Sequence, residues 1–265
     1  MEGSSELILR NLARLPPGDL LLINPPRDSL GARLQQSGHA VRVFTQNHGD
    51  YEWHQTGVSD AEFGVLPADA AVPEKTILHL PREKDLLKMM LHALSSNLGD
   101  QGCLWLVGQN KAGIKSAERY LEQFFGRVSK LDSARHCGLF EARRPAPTEA
   151  FSLRDYLARW PVNYGGQKLD IISPPGVFAH GRLDGGSQLL LETLEPARPA
   201  GKILDFASGC GVIAAAVLTA CPQAELTLLD VSALAIESGR LTLKENGLQA
   251  RLLPSDGLNP LQGVY

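Results

Sequence analysis

A run of small residues in the second half of the chain has the composition of a ligand-binding loop. Residues 205–211 read DFASGCG; they follow the apolar residues 203–204 and precede the apolar residues 212–217. Gly209 and Gly211 allow a ligand to approach the backbone closely, and the start of the next helix presents free N–H groups. The pattern predicts a strand, a tight turn and a helix that bind a small-molecule cofactor.

Three acidic residues follow predicted strands in this half: Asp205 in the loop, Asp230 nineteen residues after Gly211, and Asp256. Because parallel strands end at one edge of a sheet, we expect these carboxylates to surround the cofactor, with Asp230 on a ribose and Asp256 near an adenine amino group. Taken singly, each acid is as typical of a helix cap or a turn. The predicted cofactor site consists of Asp205, Ala207, Gly209, Gly211, Asp230, Val231, Asp256 and Gly257.

Two classes of cofactor fit this pattern. The sequence GCGVIA at 209–214 satisfies the G-x-G-x-x-A pattern of dinucleotide-binding folds. Asp205 would repel a pyrophosphate, whereas it can pair with the ammonium group of S-adenosyl-L-methionine. We therefore favour the methyl donor, and an NAD(P)-dependent oxidoreductase remains an alternative.

Predicted strands and helices alternate along the whole chain, which indicates an α/β fold. The 265 residues suffice for two domains. A linker is predicted at 143–148 (RRPAPT), between domains at 1–145 and 151–265, and a helix is predicted at 116–125. We expect two tandem Rossmann-like domains, of which only the second has the glycine loop.

The bulk properties favour an ordinary cytoplasmic protein. The net charge is -3, and the four cysteines lack the spacing of metal ligands. No apolar run approaches the roughly 20 residues that span a bilayer. We expect no metal, no membrane association and a monomer.

The motifs around these residues resemble one known family. In the second half they are PGVF at 175–178, LDGGSQLLL at 183–191 and LLDVS at 228–232, besides the loop. In the first half they are VGQNKAG at 107–113 and DSARHCGL at 132–139. Over nearly its whole length the chain resembles the RsmC family of ribosomal RNA guanine-N2 methyltransferases, which includes the RlmG enzymes.

This resemblance implies two methyltransferase-like domains. The N-terminal domain is expected to be degenerate and to support folding and RNA contact, whereas the second binds S-adenosyl-L-methionine. The implied reaction methylates the exocyclic N2 of a guanine in the 16S RNA of the small ribosomal subunit. A large-subunit target and a non-catalytic RNA-binding or assembly module remain alternatives. Ser187 and Gln188 would border the cleft, and Ala207 departs from the glycine usual in the family.

The family's catalytic Asn-Pro-Pro-Phe motif is expected beyond Tyr265. We therefore expect an incomplete second domain, no catalytic residue in this chain, and cofactor binding with little methyl transfer. The motif's role would be to hold the guanine amine in line with the methyl group. The sequence NPPR at 24–27 is a weaker substitute, because a diproline turn at the end of a strand accounts for it.

Basic residues are concentrated between positions 111 and 144. This stretch holds eight basic and four acidic residues. A solvated helix face is the simpler interpretation, and contact with RNA phosphates is the alternative. The predicted RNA-contact residues are Lys111, Lys115, Arg119 and Arg135.

Overall fold

A computed structural model describes residues 1–58, 60–68, 72–147, 149–197, 199–259 and 261, without the side chains of 195 and 196. The chain divides into two compact units, Met1–Ser152 and Leu153–Tyr265. Both are α/β structures, which confirms the predicted fold class. None of the helices in the described ranges has the length and apolar content needed to span a bilayer.

The first unit is a seven-stranded mixed sheet with helices packed on it. Its strands are β1 (Asp19–Ile23), β2 (Ala40–Thr45), β3 (Ala61–Phe63), β4 (Lys75–His79), β5 (Cys103–Gln109), β6 (Phe125–Ala134) and β7 (Cys137–Pro145). Its helices are α1 (Gly3–Arg10), α2 (Leu30–Gln36), α3 (His48–Gln55), α4 (Lys84–Asn97) and α5 (Glu118–Leu121). The strand order is β3-β2-β1-β4-β5-β7-β6, so the chain reverses direction across the sheet between β1 and β4.

The central strands of this sheet are buried on both faces, as in doubly wound folds. Leu20 and Leu22 of β1 pack in one core with Leu7 of α1 and Leu34 of α2. Leu21 and Ile23 of β1 are also buried and face the opposite side of the sheet. The continuous apolar run of the sequence therefore forms a strand covered on both sides.

The hairpin of β6 and β7 differs from the sequence prediction. The helix predicted at 116–125 is reduced to α5, and the linker predicted at 143–148 begins inside β7. Most of the basic stretch therefore lies on an antiparallel hairpin rather than on a helix face. Its turn residues, Arg135 and His136, have φ of 52° and 58°. Such turns usually contain Asn or Gly, so the sequence lacked the usual hairpin signal.

The second unit contains a three-stranded parallel sheet and a separate hairpin among its described residues. The sheet order is β10 (Lys202–Phe206), β11 (Glu225–Asp230) and β12 (Arg251–Pro254), and the hairpin is β8 (Ala158–Tyr164) with β9 (Gln167–Ser173). The helices are α6 (Gly185–Ala197), α7 (Val212–Ala220) and α8 (Ala233–Glu245).

Helix α8 binds the free edge of β9 through side chains. The Thr242 hydroxyl accepts the Ile172 N–H at 3.1 Å, and the Ser238 hydroxyl donates to the Ile172 carbonyl at 2.6 Å. One turn further on, the Asn246 amide bonds both backbone groups of Asp170. These side chains satisfy buried backbone groups that a neighbouring strand would otherwise pair, and so hold the hairpin to the helix.

Candidate functional site

The loop between β10 and α7 combines left-handed backbone with close packing. Ala207, Gly209 and Gly211 have φ of 57°, 54° and 74°. The Ser208 N–H donates to the Leu229 carbonyl at 3.1 Å, which fixes the loop to β11. A Cβ on Gly211 would lie 3.0 Å from the Cα of Gly239 in α8. A side chain at 211 would therefore require α8 to shift, in a backbone conformation that already favours glycine.

The carboxyl group of Asp205 lies in a buried environment that opposes its negative charge. Its Oδ2 is buried and has no hydrogen-bond partner among the described residues. Burial raises the pKa of this carboxyl to about 6, Asp230 adds to the shift, and the Ala214 N–H opposes it. A desolvated carboxylate is stabilised by a cation or by a proton. The site therefore presents a negative group that favours a positively charged ligand.

Asp230 fixes the loop from the end of β11. One carboxylate oxygen accepts the Gly209 N–H at 2.9 Å, and the other accepts the Ser232 N–H at 2.9 Å. The side chain is buried, with 8% exposure. A carboxylate has about four acceptor positions, so each oxygen can still accept a hydroxyl from a ligand.

A cavity of about 550 Å³ lies beside the loop. Among the predicted site residues, those that line it are Asp205, Ala207, Gly209, Asp230 and Ser187. The predicted residues Gly211, Val231, Asp256, Gly257 and Gln188 are not among its lining residues. Asp256 follows β12 and is exposed, and Gln188 donates to Glu192 at 3.0 Å.

The structure adds lining residues that the sequence reasoning did not single out as site residues. They are Phe178 and Arg182 before α6, Asp184 at its start, and Phe206 at the end of β10. Phe178 and Phe206 are 76% and 54% exposed, which is unusual for phenylalanine. The motifs at 175–178, 183–191 and 205–211 contained three of these residues, but only the fold brings them together.

Asp184 caps helix α6. Its carboxylate accepts the N–H groups of Gly186 and Ser187 at 3.0 and 3.1 Å. Hydrogen bonds from the Ser187 side chain and from these backbone groups lower the pKa of Asp184. Ser187 is thereby held at the cavity wall.

The four predicted RNA-contact residues have different surroundings in the first unit. Lys111 and Lys115 are exposed on the segment after β5. Arg119 donates to the Tyr120 hydroxyl at 2.9 Å, and Arg135 pairs with Glu6 at 3.0 Å. All four residues are therefore exposed, and the two arginines differ from the lysines in that they are engaged with neighbouring side chains.

The two Asn-Pro-Pro predictions have different outcomes. The motif expected after Tyr265 lies outside the described residues. At the end of β1, Asn24 has φ of 50° and bonds Gln46, and the two prolines follow in a turn. Because Asn24 is engaged with Gln46, the arrangement supports a structural role for residues 24–27.

Two family models match the chain. One is described as methyltransferase small domain N-terminal and covers residues 5–160; the other, methyltransferase small domain, covers 168–265. The fold and the loop therefore belong to the methyltransferase class, as the sequence predicts.

Curated relatives define the family more narrowly. A protein of Pseudomonas syringae pv. syringae is 41% identical over 261 residues, which cover 98% of this chain and 76% of the relative. A protein of Photobacterium profundum is 34% identical, with 99% and 77% covered. Both are named ribosomal RNA small subunit methyltransferase C. The chain belongs to the ribosomal RNA small subunit methyltransferase C family.

A solved structure supports the fold independently. It is the T. thermophilus 16S rRNA N2 methyltransferase RsmC, in complex with AdoMet and guanosine. The TM-score is 0.81 at 21% identity, and the match covers 98% of this chain and 71% of that chain.

Proposed function

We propose that the second unit binds S-adenosyl-L-methionine beside the loop and that the protein methylates the exocyclic N2 of a guanine in 16S ribosomal RNA. The observation that carries the cofactor proposal is the buried Oδ2 of Asp205, which has no hydrogen-bond partner in the part of the chain that the structure describes. A negative group there suits the ammonium of the methyl donor and opposes the pyrophosphate of a dinucleotide. Family membership supports methyl transfer, and the relatives' names support small-subunit RNA as the substrate.

The residues present can hold each part of the proposed cofactor. Asp205 would accept the ammonium group, and Asp230 would accept the ribose hydroxyls at its remaining acceptor positions. Arg182, an exposed cation at the same cavity, would pair with the carboxylate. The bound cofactor supplies an electrophilic methyl group for the guanine amine. The predicted roles of Asp256, Gly257 and Val231, farther along the sheet edge, remain proposals.

A guanine that leaves the RNA helix to be methylated needs a protein surface on which its base can stack. Phe178 and Phe206 expose aromatic rings at the cavity, and such rings can stack on a base that has left its helix. Lys111 and Lys115 of the first unit would contact the RNA backbone. We propose small-subunit RNA in the cytoplasm as the partner.

Calorimetric titration with S-adenosyl-L-methionine and with NAD tests the cofactor. We expect the first to bind and the second to show no binding. Preferential binding of NAD would contradict the proposal. The acceptor is tested with methyl-labelled cofactor, ribosomal RNA digested to nucleosides, and protein that carries the Asn-Pro-Pro-Phe motif expected beyond Tyr265: label in N2-methylguanosine from 16S RNA is expected, and label confined to 23S RNA would contradict the assignment.

A further inference from the structure

A second cavity, in the first unit, has no role in the proposed methyl transfer. It measures about 860 Å³ and lies at the carboxyl ends of β1, β4 and β5. The strand order reverses between β1 and β4, and open α/β sheets bind ligands at such a point. Its size is within the range of small-molecule sites. The first unit thus has a cavity at the position where ligands bind in related folds.

On the β1–β2 side of the cavity, the lining residue Asn24 is already hydrogen-bonded within the protein. The side-chain carbonyl of Asn24 accepts the Gln46 N–H at 2.9 Å, and the Asn24 amide donates to the Gln46 side-chain oxygen at 3.1 Å. Gln46 also donates to the Val65 carbonyl at 2.7 Å. Gln46 comes directly after β2 in the first unit, and Asp230, the ribose-binding candidate, ends β11 in the second unit. Where the second unit has a carboxylate, the first unit has an amide that is already hydrogen-bonded. This corner does not suit a second molecule of the methyl donor.

The β4–β5 side contains one buried polar atom without a hydrogen-bond partner among the described residues. His79, the last residue of β4, is 9% exposed, and its Nε2 has no hydrogen-bond partner among the described residues. Burial lowers the pKa of this imidazole to about 4, so the ring is neutral near pH 7, with one donor and one acceptor nitrogen. Gln109 ends β5 at the same cavity and adds an amide with both functions. Neutral donors and acceptors of this kind match the edge of a nucleobase.

Charges and apolar surface at the cavity fit the rest of a nucleotide. Lys111 and Arg82 are exposed cations among the lining residues. Pro25 and Pro26 line the side next to β1 and provide flat apolar surface for a base. The lining also contains two acidic residues, Glu2 and Asp50, and Asp50 is paired with Arg27 at 2.6 Å, which reduces its repulsion of a phosphate.

We infer that this cavity binds one unpaired nucleotide of RNA, with its base against His79 and Gln109 and its phosphate near Lys111 and Arg82. The inference rests on the proposed function for the choice of RNA as the source of the nucleotide. It gives the first unit a direct part in substrate recognition, through one base in addition to the phosphate backbone.

The test is fluorescence anisotropy with a short single-stranded oligonucleotide of 16S RNA. We expect His79→Leu to weaken binding by about 10-fold while thermal stability is kept or raised, because the change removes an unpaired buried nitrogen. The matched control is His39→Leu. His39 is also buried, and its Nδ1 has no partner within the described ranges, but it lies before β2, at the opposite end of the strands. RNA binding equal to wild type in His79→Leu would overturn the inference.

The proposed contacts with the phosphate and with the base are tested separately. Lys111→Glu is expected to weaken binding several-fold, whereas Lys130→Glu on the exposed face of β6 should not. An oligonucleotide with an abasic position at each residue in turn should lose affinity at one position; equal affinity for all would overturn the base site. Free nucleoside monophosphates are titrated as the alternative ligands. Tighter binding of these than of RNA would refute RNA as the source of the nucleotide.

Failure of this inference and failure of the proposed function give different results. The same variants are titrated with S-adenosyl-L-methionine, whose proposed site lies in the second unit. Loss of RNA binding in His79→Leu with intact cofactor binding supports the inference. If wild-type protein binds RNA, His79→Leu weakens that binding, and wild-type protein does not bind the cofactor, then only the proposed function is contradicted.

Discussion

At the scale of single residues, Asp205 sets the most specific chemical requirement for the ligand, which is a positive charge. Asp205→Asn should reduce S-adenosyl-L-methionine affinity by about 10- to 100-fold at pH 8, because the amide cannot pair with the ammonium group. The exposed Asp155 offers a control, and Asp155→Asn should leave affinity unchanged. Calorimetry measures both, and unaltered affinity in Asp205→Asn would remove the basis of the cofactor proposal.

The raised pKa of Asp205 also predicts a pH dependence. Because the folded-state pKa, about 6, exceeds the ordinary value of 3.8, the folded protein holds this proton more tightly than the unfolded chain does. The contribution to stability therefore falls as pH rises from about 4 to about 6 and is constant above that. Cofactor affinity should rise over the upper part of this window as the carboxylate forms. Titrations between pH 5 and 8 should show this rise in wild type and not in Asp205→Asn.

Ala207 is a residue in a conformation that suits glycine. Its φ of 57° costs roughly 1 kcal/mol for a residue with a Cβ. Ala207→Gly should therefore change the free energy of unfolding by less than about 1 kcal/mol, because relief of strain offsets the greater freedom of glycine in the unfolded chain. Ala220→Gly, at the end of α7, lacks that relief and should be destabilising. Urea denaturation compares the two variants, and a larger loss for Ala207→Gly would argue against strain at 207.

At the scale of elements, the side chains of α8 replace a missing strand partner for β9. Thr242→Val keeps the shape of the side chain but leaves the buried Ile172 N–H unpaired, so we expect a loss of about 1 to 3 kcal/mol. Thr219→Val in α7 is the matched control, since its hydroxyl only returns to the Ala215 carbonyl of its own helix. Urea denaturation midpoints should separate the variants, and equal midpoints would show that the α8 contacts are dispensable.

The contact between the loop and α8 predicts a second difference. Gly211 and Gly247 both have positive φ, but a Cβ at 211 meets Gly239, whereas a Cβ at 247 has nothing within 4 Å. Gly247→Ala should cost roughly 1 kcal/mol from backbone strain alone. Gly211→Ala should cost about 1 to 3 kcal/mol more and weaken cofactor binding, because α7 must move away from α8. Similar losses in thermal denaturation for both variants would indicate that the space at 211 is not limiting.

At the scale of the whole molecule, a net charge of -3 means that RNA binding must depend on local cations. Lys111 and Lys115 are exposed, whereas the equally exposed Arg119 and Arg135 are engaged with Tyr120 and Glu6. The double change Lys111→Glu and Lys115→Glu should weaken RNA binding and reduce the slope of log K against log salt by about 1.4, at about 0.7 per contact with single strands. Filter binding over a salt series measures the slope. A slope equal to that of Lys130→Glu would place the RNA contacts elsewhere.

The sequence by itself determined the α/β class, the glycine loop and the acids at the ends of β10 and β11. These features are local: a strand, a turn and a helix follow one another directly, and hydrophobic periodicity reports each of them. The methyltransferase family also follows from short runs of residues.

Only the tertiary structure decided which residues meet. Phe178 and Arg182 reach the loop from before α6, and the lack of a partner for Asp205 Oδ2 among the described residues depends on every element around it. The hairpin of β6 and β7 was missed because Arg135 and His136 occupy turn positions that usually hold Asn or Gly. The cavity at His79 joins the ends of three strands far apart in sequence, and no periodicity along the chain records such a meeting.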